Sequence, residues 1–278
     1  MITPRLNKGM DPVLENRSDT SLAAPRARRR VCVIGNSYTG AVKRAYQLGL
    51  VDTRGHTLNF FANPGPNFIN LRLDGKRIVD APFSDGGSDD VDDYDAFVVY
   101  GDTPTPVEIR TFMDGLSTES YSRQVRAAAL RERLLQSHAY RICGQLLTAQ
   151  DRPVFLLSRN YSVEECRGNG DVAERTDALF AEAIRPACHI PFPVPLFGGD
   201  GHPLPDLYSG SLNVDGVEPD RIEQPHHHLV HLNQTGGALV LAAVLEGVEA
   251  AFPPPPFTAA AEKPQAALLH RLRRWVSA

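Results

Sequence analysis

The chain contains 278 residues, 42% of them hydrophobic and 22% charged, with a formal net charge of −4. This length suffices for one well-buried domain, and the slightly acidic balance gives no reason to expect nucleic acid or an anionic membrane as a partner. No segment approaches the roughly 18 consecutive apolar residues of a membrane span, and residues 1–29 lack the apolar run of a secretory peptide. We therefore expect a soluble, cytoplasmic protein.

Composition divides the chain into three parts. Residues 1–29 are poor in large apolar side chains and predict a disordered extension. Residues 30–252 carry the apolar runs of the folded domain, and residues 253–278 combine a proline linker with a short amphipathic helix. The cysteines show neither zinc-finger nor C-x-x-C spacing, which predicts buried free thiols: Cys32, Cys143, Cys166 and Cys188.

Short apolar runs and segments with helical spacing alternate along the domain. The predicted strands are residues 31–34, 56–62, 96–100 and 153–157. The predicted helices are residues 39–49, 122–149, 171–184 and 232–245. Residues 80–95 predict a surface excursion, and residues 186–225 predict a long irregular loop. This order predicts the α/β class, with an open, mostly parallel sheet covered by helices on both faces.

Ser37 lies in a Gly-Asn-Ser turn, residues 35–37, between the first predicted strand and the first predicted helix. Functional groups of parallel α/β sheets gather at the carboxyl ends of the strands, so this hydroxyl is placed to act as a nucleophile. Backbone N–H groups at the helix start could hold a developing oxyanion. A neutral serine needs a base for this role. The alternative is that Ser37 caps the helix that follows.

His231 directly precedes the last predicted helix. It is the natural base, because an unperturbed imidazole has a pKa of about 6.5 and exchanges protons near neutrality. The alternative is a capping or packed histidine. Three more histidines at 226–228 also permit a metal site, but only Asp220 and Glu223 are nearby carboxylates and the H-E-x-x-H pattern is absent, which disfavours a metal.

Two of these segments resemble a known family. Gly-Asn-Ser at 35–37 resembles the first block of the SGNH (GDSL-type) hydrolases, and His-Leu-Asn at 231–233, followed by Gly236, resembles their last block. The order and separation of the two segments also fit, and the resemblance covers residues 31–252. It implies a three-layer α/β/α sandwich of the SGNH or flavodoxin-like type, with Ser37 as nucleophile and His231 as general base.

The resemblance also implies an oxyanion hole formed by the backbone N–H groups of Ser37 and Gly65. A simple Pro-Gly turn is the alternative for Gly65. The family's third block, Gly-x-Asn-Asp, corresponds here to Gly-Asp-Thr-Pro at 101–104. Thr103 could replace the asparagine as a hydrogen-bond donor through its hydroxyl, whereas Asp102 near an oxyanion would oppose the developing charge.

The sequence also differs from the family's pattern at the position of the acid. The family's aspartate three residues before the histidine is replaced here by His228, which is the orienting candidate for His231. A second imidazole cannot stabilise an imidazolium as a carboxylate does. The site would therefore work as a Ser–His dyad, or a backbone carbonyl or distant acid would orient His231. The candidate acids in the long loop are Asp200, Asp206, Asp215 and Asp220.

The favoured interpretation is a serine hydrolase that removes an acyl group from a carbohydrate or another small metabolite and needs neither a metal nor an organic cofactor. The expected partner is this small ester substrate, with no nucleic acid and no membrane, and the sequence assigns no oligomeric state. One alternative is a non-catalytic SGNH-like module that binds a glycan or a protein. Another, a nucleotide-binding domain, is disfavoured because residues 35–40 lack both the G-x-G-x-x-G spacing and a P-loop lysine.

Overall fold

The computed structural model describes residues 28–104, 106–115, 121–159, 178–191, 205–209 and 231–252. The strands are β1 (Arg30–Gly35), β2 (Thr57–Ala62), β3 (Arg72–Asp74), β4 (Arg77–Val79), β5 (Phe83–Ser84), β6 (Ala96–Tyr100), β7 (Val154–Leu157), β8 (Cys188–Ile190), β9 (Tyr208–Ser209) and β10 (His231–Leu232). The α-helices with full bounds are α1 (Thr39–Gln47), α2 (Pro106–Asp114), α3 (Arg123–Leu134), α4 (His138–Ala149) and α5 (Gln234–Ala251), and residues 178–183 are also helical.

Six strands form the central sheet in the order β5-β2-β1-β6-β7-β8. All neighbouring pairs are parallel except β2–β5, where the two-residue strand β5 runs antiparallel at the edge. The chain passes from β1 to β2 on one side and returns to β6 on the other. The carboxyl end of β1 therefore lies at the topological switch point, where open α/β sheets form their binding crevice.

Strand residues alternate between two separate apolar cores. Val31 and Val33 face a core that the sheet shares with α1 and α5. Cys32 and Ile34 face a second core, built with α2, α3, α4 and the helical residues 178–183. These two cores are the two interfaces of a three-layer α/β/α sandwich, so the predicted fold class is confirmed.

The predicted helix over residues 122–149 is wrong in one respect, because the segment forms two helices. The first, α3, ends at Leu134, and α4 begins at His138. The hydroxyl of Ser137 accepts a hydrogen bond from the N–H of Tyr140 and caps α4. A serine cap at this point is a local alternative to a continuous helix.

Other predicted boundaries also change. The last helix begins at Gln234 rather than at residue 232, because Leu232 pairs in β10. It continues to Ala251, beyond the predicted end at residue 245. The predicted loop over 186–225 contains β8 and β9. The predicted surface excursion over 80–95 contributes Val91 and Tyr94 to the core, where both side chains are buried.

Several predictions fall outside the described residues: most of the N-terminal extension (1–27), the C-terminal segment 253–278 and the start of the predicted helix 171–184. Cys32 and Cys143 are buried free thiols as predicted, whereas Cys188 is free but exposed and Cys166 is not among the described residues. No helix in the described ranges is both long and apolar enough to cross a membrane.

Two consecutive glycines bring the start of α5 into backbone contact with its neighbours. A Cβ built on Gly237 would lie 2.2 Å from the carbonyl oxygen of Ala41 in α1. A Cβ built on Gly236 would lie 2.5 Å from the carbonyl oxygen of Leu207. Real side chains do not tolerate such distances, so only glycine permits this approach, and it sets how close residue 231 comes to the end of β1.

We predict that Gly237→Ala lowers the free energy of unfolding by about 1–3 kcal/mol, because the added methyl group must push α5 away from α1. The matched control is Gly144→Ala in α4, where an added Cβ meets nothing within 4 Å. Alanine should there stabilise the helix by about 0.5–1 kcal/mol. Urea unfolding monitored by circular dichroism measures both, and equal stability of the two variants would contradict the proposed contact.

Candidate active site

A tight turn presents Ser37 at the carboxyl end of β1. Gly35 is required there, because an added Cβ would lie 2.0 Å from the carbonyl oxygen of Tyr100 on β6. The same carbonyl accepts the N–H of Asn36 at 3.2 Å. The side chain of Asn36 in turn accepts the N–H of Tyr38 at 3.0 Å. The turn is thus held from both ends, and the residue between these contacts, Ser37, carries its hydroxyl at the switch point of the sheet.

His231 is held on both sides by short backbone elements. It pairs with Ser209 in the antiparallel β9–β10 ladder. Two residues later, the side chain of Asn233 caps α5 by accepting the N–H groups of Thr235 and Gly236 at 2.9 and 3.0 Å. These bonds satisfy backbone donors that a helix start leaves open. They also fix the direction in which the chain passes through His231.

The structure brings these two side chains together, although they are 194 residues apart in the sequence. The Nε2 atom of His231 lies 3.0 Å from the Oγ atom of Ser37. The ring of Tyr38 packs against the imidazole, with 5.7 Å between the ring centroids. Burial lowers the pKa of His231 from its usual 6.5. The imidazole is therefore neutral near pH 7, and a tautomer with the proton on Nδ1 lets Nε2 accept the serine proton.

The predicted orienting groups for His231 fall mostly outside the described residues: His228, Asp200, Asp215 and Asp220. Asp206 is described, and its carbonyl oxygen accepts a hydrogen bond from the side chain of Asn233 at 2.6 Å. Within the described ranges, no carboxylate forms an ion pair with His231, so Asp206 does not act as the orienting acid there. No group of three or more metal-ligating side chains occurs among these residues either, and His226 and His227 are not among them.

Two backbone donors near the turn are available to a ligand. The N–H groups of Ser37 and Gly65 form no hydrogen bond within the described part of the chain. Gly65 opens a short 3₁₀ helix with a φ of 58°, as a Pro-Gly turn would.

Asn63 holds the loop that carries Gly65 against β1, because its N–H donates to the carbonyl oxygen of Gly35 at 3.1 Å. Its side chain donates to the carbonyl oxygen of Asp80 at 2.9 Å. The sequence did not single out Asn63, because its role depends on the pairing of β1 with β2.

The carboxylate of Asp102 binds the start of α4 in the structure. Its oxygens accept the N–H groups of His138 and Ala139 at 3.0 and 2.8 Å and the hydroxyl of Ser137 at 3.2 Å. Asp102 therefore caps α4, where the helix dipole favours a negative charge. Thr103 is buried next to it, and its hydroxyl oxygen accepts the N–H of Arg159 at 2.9 Å.

A pocket of about 160 Å³ opens beside Ser37. It lies between α1 and the β2–β5 edge of the sheet. Its described lining on the sheet side is apolar except for Ser84 of β5: Phe60, Ala62, Pro64, Pro82 and Phe83. The serine hydroxyl therefore lies at a cavity rather than on a flat surface, and this is the arrangement that a small-molecule site requires.

The structure also contains a second serine–histidine pair that the sequence analysis missed. Ser158 follows β7, and its Oγ atom lies 2.8 Å from Nε2 of His189 in β8. Burial lowers the pKa of His189 to about 4, and the ring packs against Phe180 with centroids 4.6 Å apart. Ser158 is only 6% exposed. The strand-then-serine pattern of Ser37 would have found Ser158, but no sequence signal marks β8.

Comparison with protein-family models gives no match, and comparison with curated proteins gives none either. Among solved structures, this chain is similar to the lipase Lip_vut3 from a goat rumen metagenome. The two are 14% identical, the similarity covers 81% of this chain and 97% of the lipase, and the TM-score is 0.36. Similarity at this level does not define a family, so the function has to be inferred from the site itself.

We predict that His189 makes the fold sensitive to acid. In the unfolded chain this imidazole binds a proton near pH 6.5, whereas in the folded chain it remains neutral down to about pH 4. The unfolded state thus binds more protons between these values, and stability falls by up to about 3 kcal/mol as the pH decreases from 6.5 to 4. Urea unfolding at several pH values measures this slope. His189→Gln should reduce it, and an unchanged slope would contradict the assignment.

Proposed function

We propose that this protein is a serine hydrolase of the SGNH type that cleaves an ester, with Ser37 as nucleophile and His231 as general base. The observation that carries the proposal is the 3.0 Å contact between the Ser37 hydroxyl and the neutral imidazole of His231. The contact lies at the switch point of a parallel sheet and borders a pocket. Nucleophile and base within hydrogen-bond reach are the geometric signature of covalent hydrolysis.

The reaction proceeds in two half-reactions. Ser37 Oγ attacks the ester carbonyl while its proton moves to Nε2 of His231. The oxyanion that forms accepts hydrogen bonds from the N–H groups of Ser37 and Gly65, with the Thr103 hydroxyl as a further candidate donor. His231 then returns the proton to the departing alcohol oxygen. A water molecule next attacks the acyl-serine and gives a proton to His231. The bond between the acyl carbon and Ser37 Oγ then breaks, the acid is released, and His231 returns the proton to Ser37 Oγ.

Among the described residues, the ring of His231 contacts the Ser37 hydroxyl and the Tyr38 ring, and no carboxylate forms a hydrogen bond or ion pair with it. The pairing of β10 with β9 fixes the backbone of His231. This supports a Ser–His dyad, with orientation of the imidazole by His228 as the alternative. The substrate that we propose is an acyl ester of a carbohydrate or another small metabolite, cleaved without a metal or an organic cofactor.

The second candidate function is that of a non-catalytic module of the same fold, which binds a glycan or a protein. It is favoured by the lack of a described carboxylate partner for His231 and by the burial of Thr103, which is only 1% exposed. Chemistry at Ser37 separates the two functions, because a binding module needs no activated hydroxyl.

We predict that a fluorophosphonate probe forms a covalent adduct on Ser37. Mass spectrometry of the digested protein locates the adduct, and Ser37→Ala should abolish it. Ser158→Ala is the matched control, because Ser158 also contacts a histidine but is buried away from solvent. This variant should label like the wild type. Folded wild-type protein that takes up no probe would support the binding module instead.

We also predict a pH profile of kcat/KM with an acid limb whose midpoint lies below 6.5. The neutral imidazole is the active form, and burial lowers the pKa of His231, so activity persists as the pH falls until the imidazole is protonated. Hydrolysis of a p-nitrophenyl ester from pH 4.5 to 8.5 measures the limb. His231→Ala should lose about 10²–10⁴-fold in kcat/KM. A midpoint above 6.5 would contradict the role of His231.

A further inference from the structure

The pocket beside Ser37 has a defined position in the fold. One wall is the solvent-facing start of α1, including Gly40 and Lys43, and the opposite wall is the end of β2 together with β5. Ala62 and Phe83 are directly opposite each other in the antiparallel β2–β5 pair. Opposed residues of such a pair project to the same face of the sheet. Their side chains therefore border the pocket together.

The direction of the reaction decides which part of an ester enters this pocket. His231 must reach the leaving oxygen to return the proton, so the alcohol portion lies on the histidine side of Ser37. The described lining of the pocket comes from α1, β2, β5 and the adjoining prolines, and it includes no residue of β9 or β10. The pocket thus lies on the other side of the serine, where the acyl chain of the same ester has to extend.

The size and polarity of the pocket limit that chain. Its volume of about 160 Å³ is below the ~300–1,000 Å³ of sites that take drug-sized ligands. The pocket therefore has room for a short acyl chain rather than for a drug-sized group. The sheet-side wall is apolar except for Ser84, with Phe60 buried and Phe83 41% exposed at the rim.

We infer that this pocket is an acyl-chain site that selects esters of short, unbranched apolar acids, with Phe83 as its outer wall. The inference rests on the proposed function and adds to it the class of acyl group. Each methylene that enters an apolar site contributes about fourfold in kcat/KM. The value of kcat/KM should therefore rise with the length of the acyl chain until the chain meets Phe83, and it should fall for chains that no longer fit.

The test is the hydrolysis of p-nitrophenyl acetate, butyrate, hexanoate, octanoate and laurate by the full chain. The wild type should be fastest with butyrate or hexanoate and at least about tenfold slower with laurate. Phe83→Ala opens the rim and should move the optimum to octanoate or longer. Ala62→Val narrows the pocket from the opposite strand and should move the optimum toward acetate. Ile69→Ala, which removes an exposed apolar side chain outside the pocket, should keep the wild-type profile.

The outcomes separate the two proposals. Ser37-dependent hydrolysis with the same chain-length profile in the wild type, Phe83→Ala and Ala62→Val would overturn the acyl-chain site and leave the hydrolase intact. A profile that shifts equally in Ile69→Ala would overturn it as well. Protein that neither hydrolyses any ester nor labels at Ser37 would overturn the proposed function, and the acyl-chain site with it. Circular dichroism of each variant establishes that it is folded.

Discussion

The candidate site depends on a backbone contact between two helices. The first turn of α5 meets α1 so closely that Gly237 lies against the carbonyl oxygen of Ala41. Ser37 lies two residues before α1, and His231 lies three residues before α5, so the close approach of the two helices brings the hydroxyl and the imidazole into the same region. Because protein interiors are close-packed, even one added methyl group at this contact must displace a helix. The two glycines therefore permit the helix spacing at which the pair forms.

Two serine–histidine pairs occur among the described residues, and their surroundings distinguish them. Ser37 borders a pocket, whereas Ser158 is almost fully buried beside His189. In both pairs burial lowers the pKa of the histidine. A buried, neutral imidazole that accepts from a hydroxyl satisfies two polar groups that would otherwise cost stability. Only the pair with access to a ligand is placed to use the same hydrogen bond for proton transfer.

Two polar side chains near the site, Asp102 and Asn63, form hydrogen bonds that stabilise the surrounding structure. Asp102 follows β6 and would be unfavourable beside a developing oxyanion, but its carboxylate faces the start of α4 and accepts two backbone N–H groups. The helix dipole and these donors compensate the negative charge. Asn63 acts at the end of β2 by holding the loop that carries Gly65 against β1. Neither role follows from residue type alone, because each requires a partner that is distant in the sequence.

The sequence by itself determined the α/β class, the main parallel strands and the two segments that carry Ser37 and His231. These features depend on short-range patterns: apolar runs, turn residues and helix caps lie within a few positions of one another. It did not determine the break at Ser137, the edge strand β5, the strand β8 with His189, or the cap by Asp102. Those features were decided by tertiary structure, because a two- or three-residue strand carries too little periodicity to detect, and a cap or pocket wall exists only once remote segments have met.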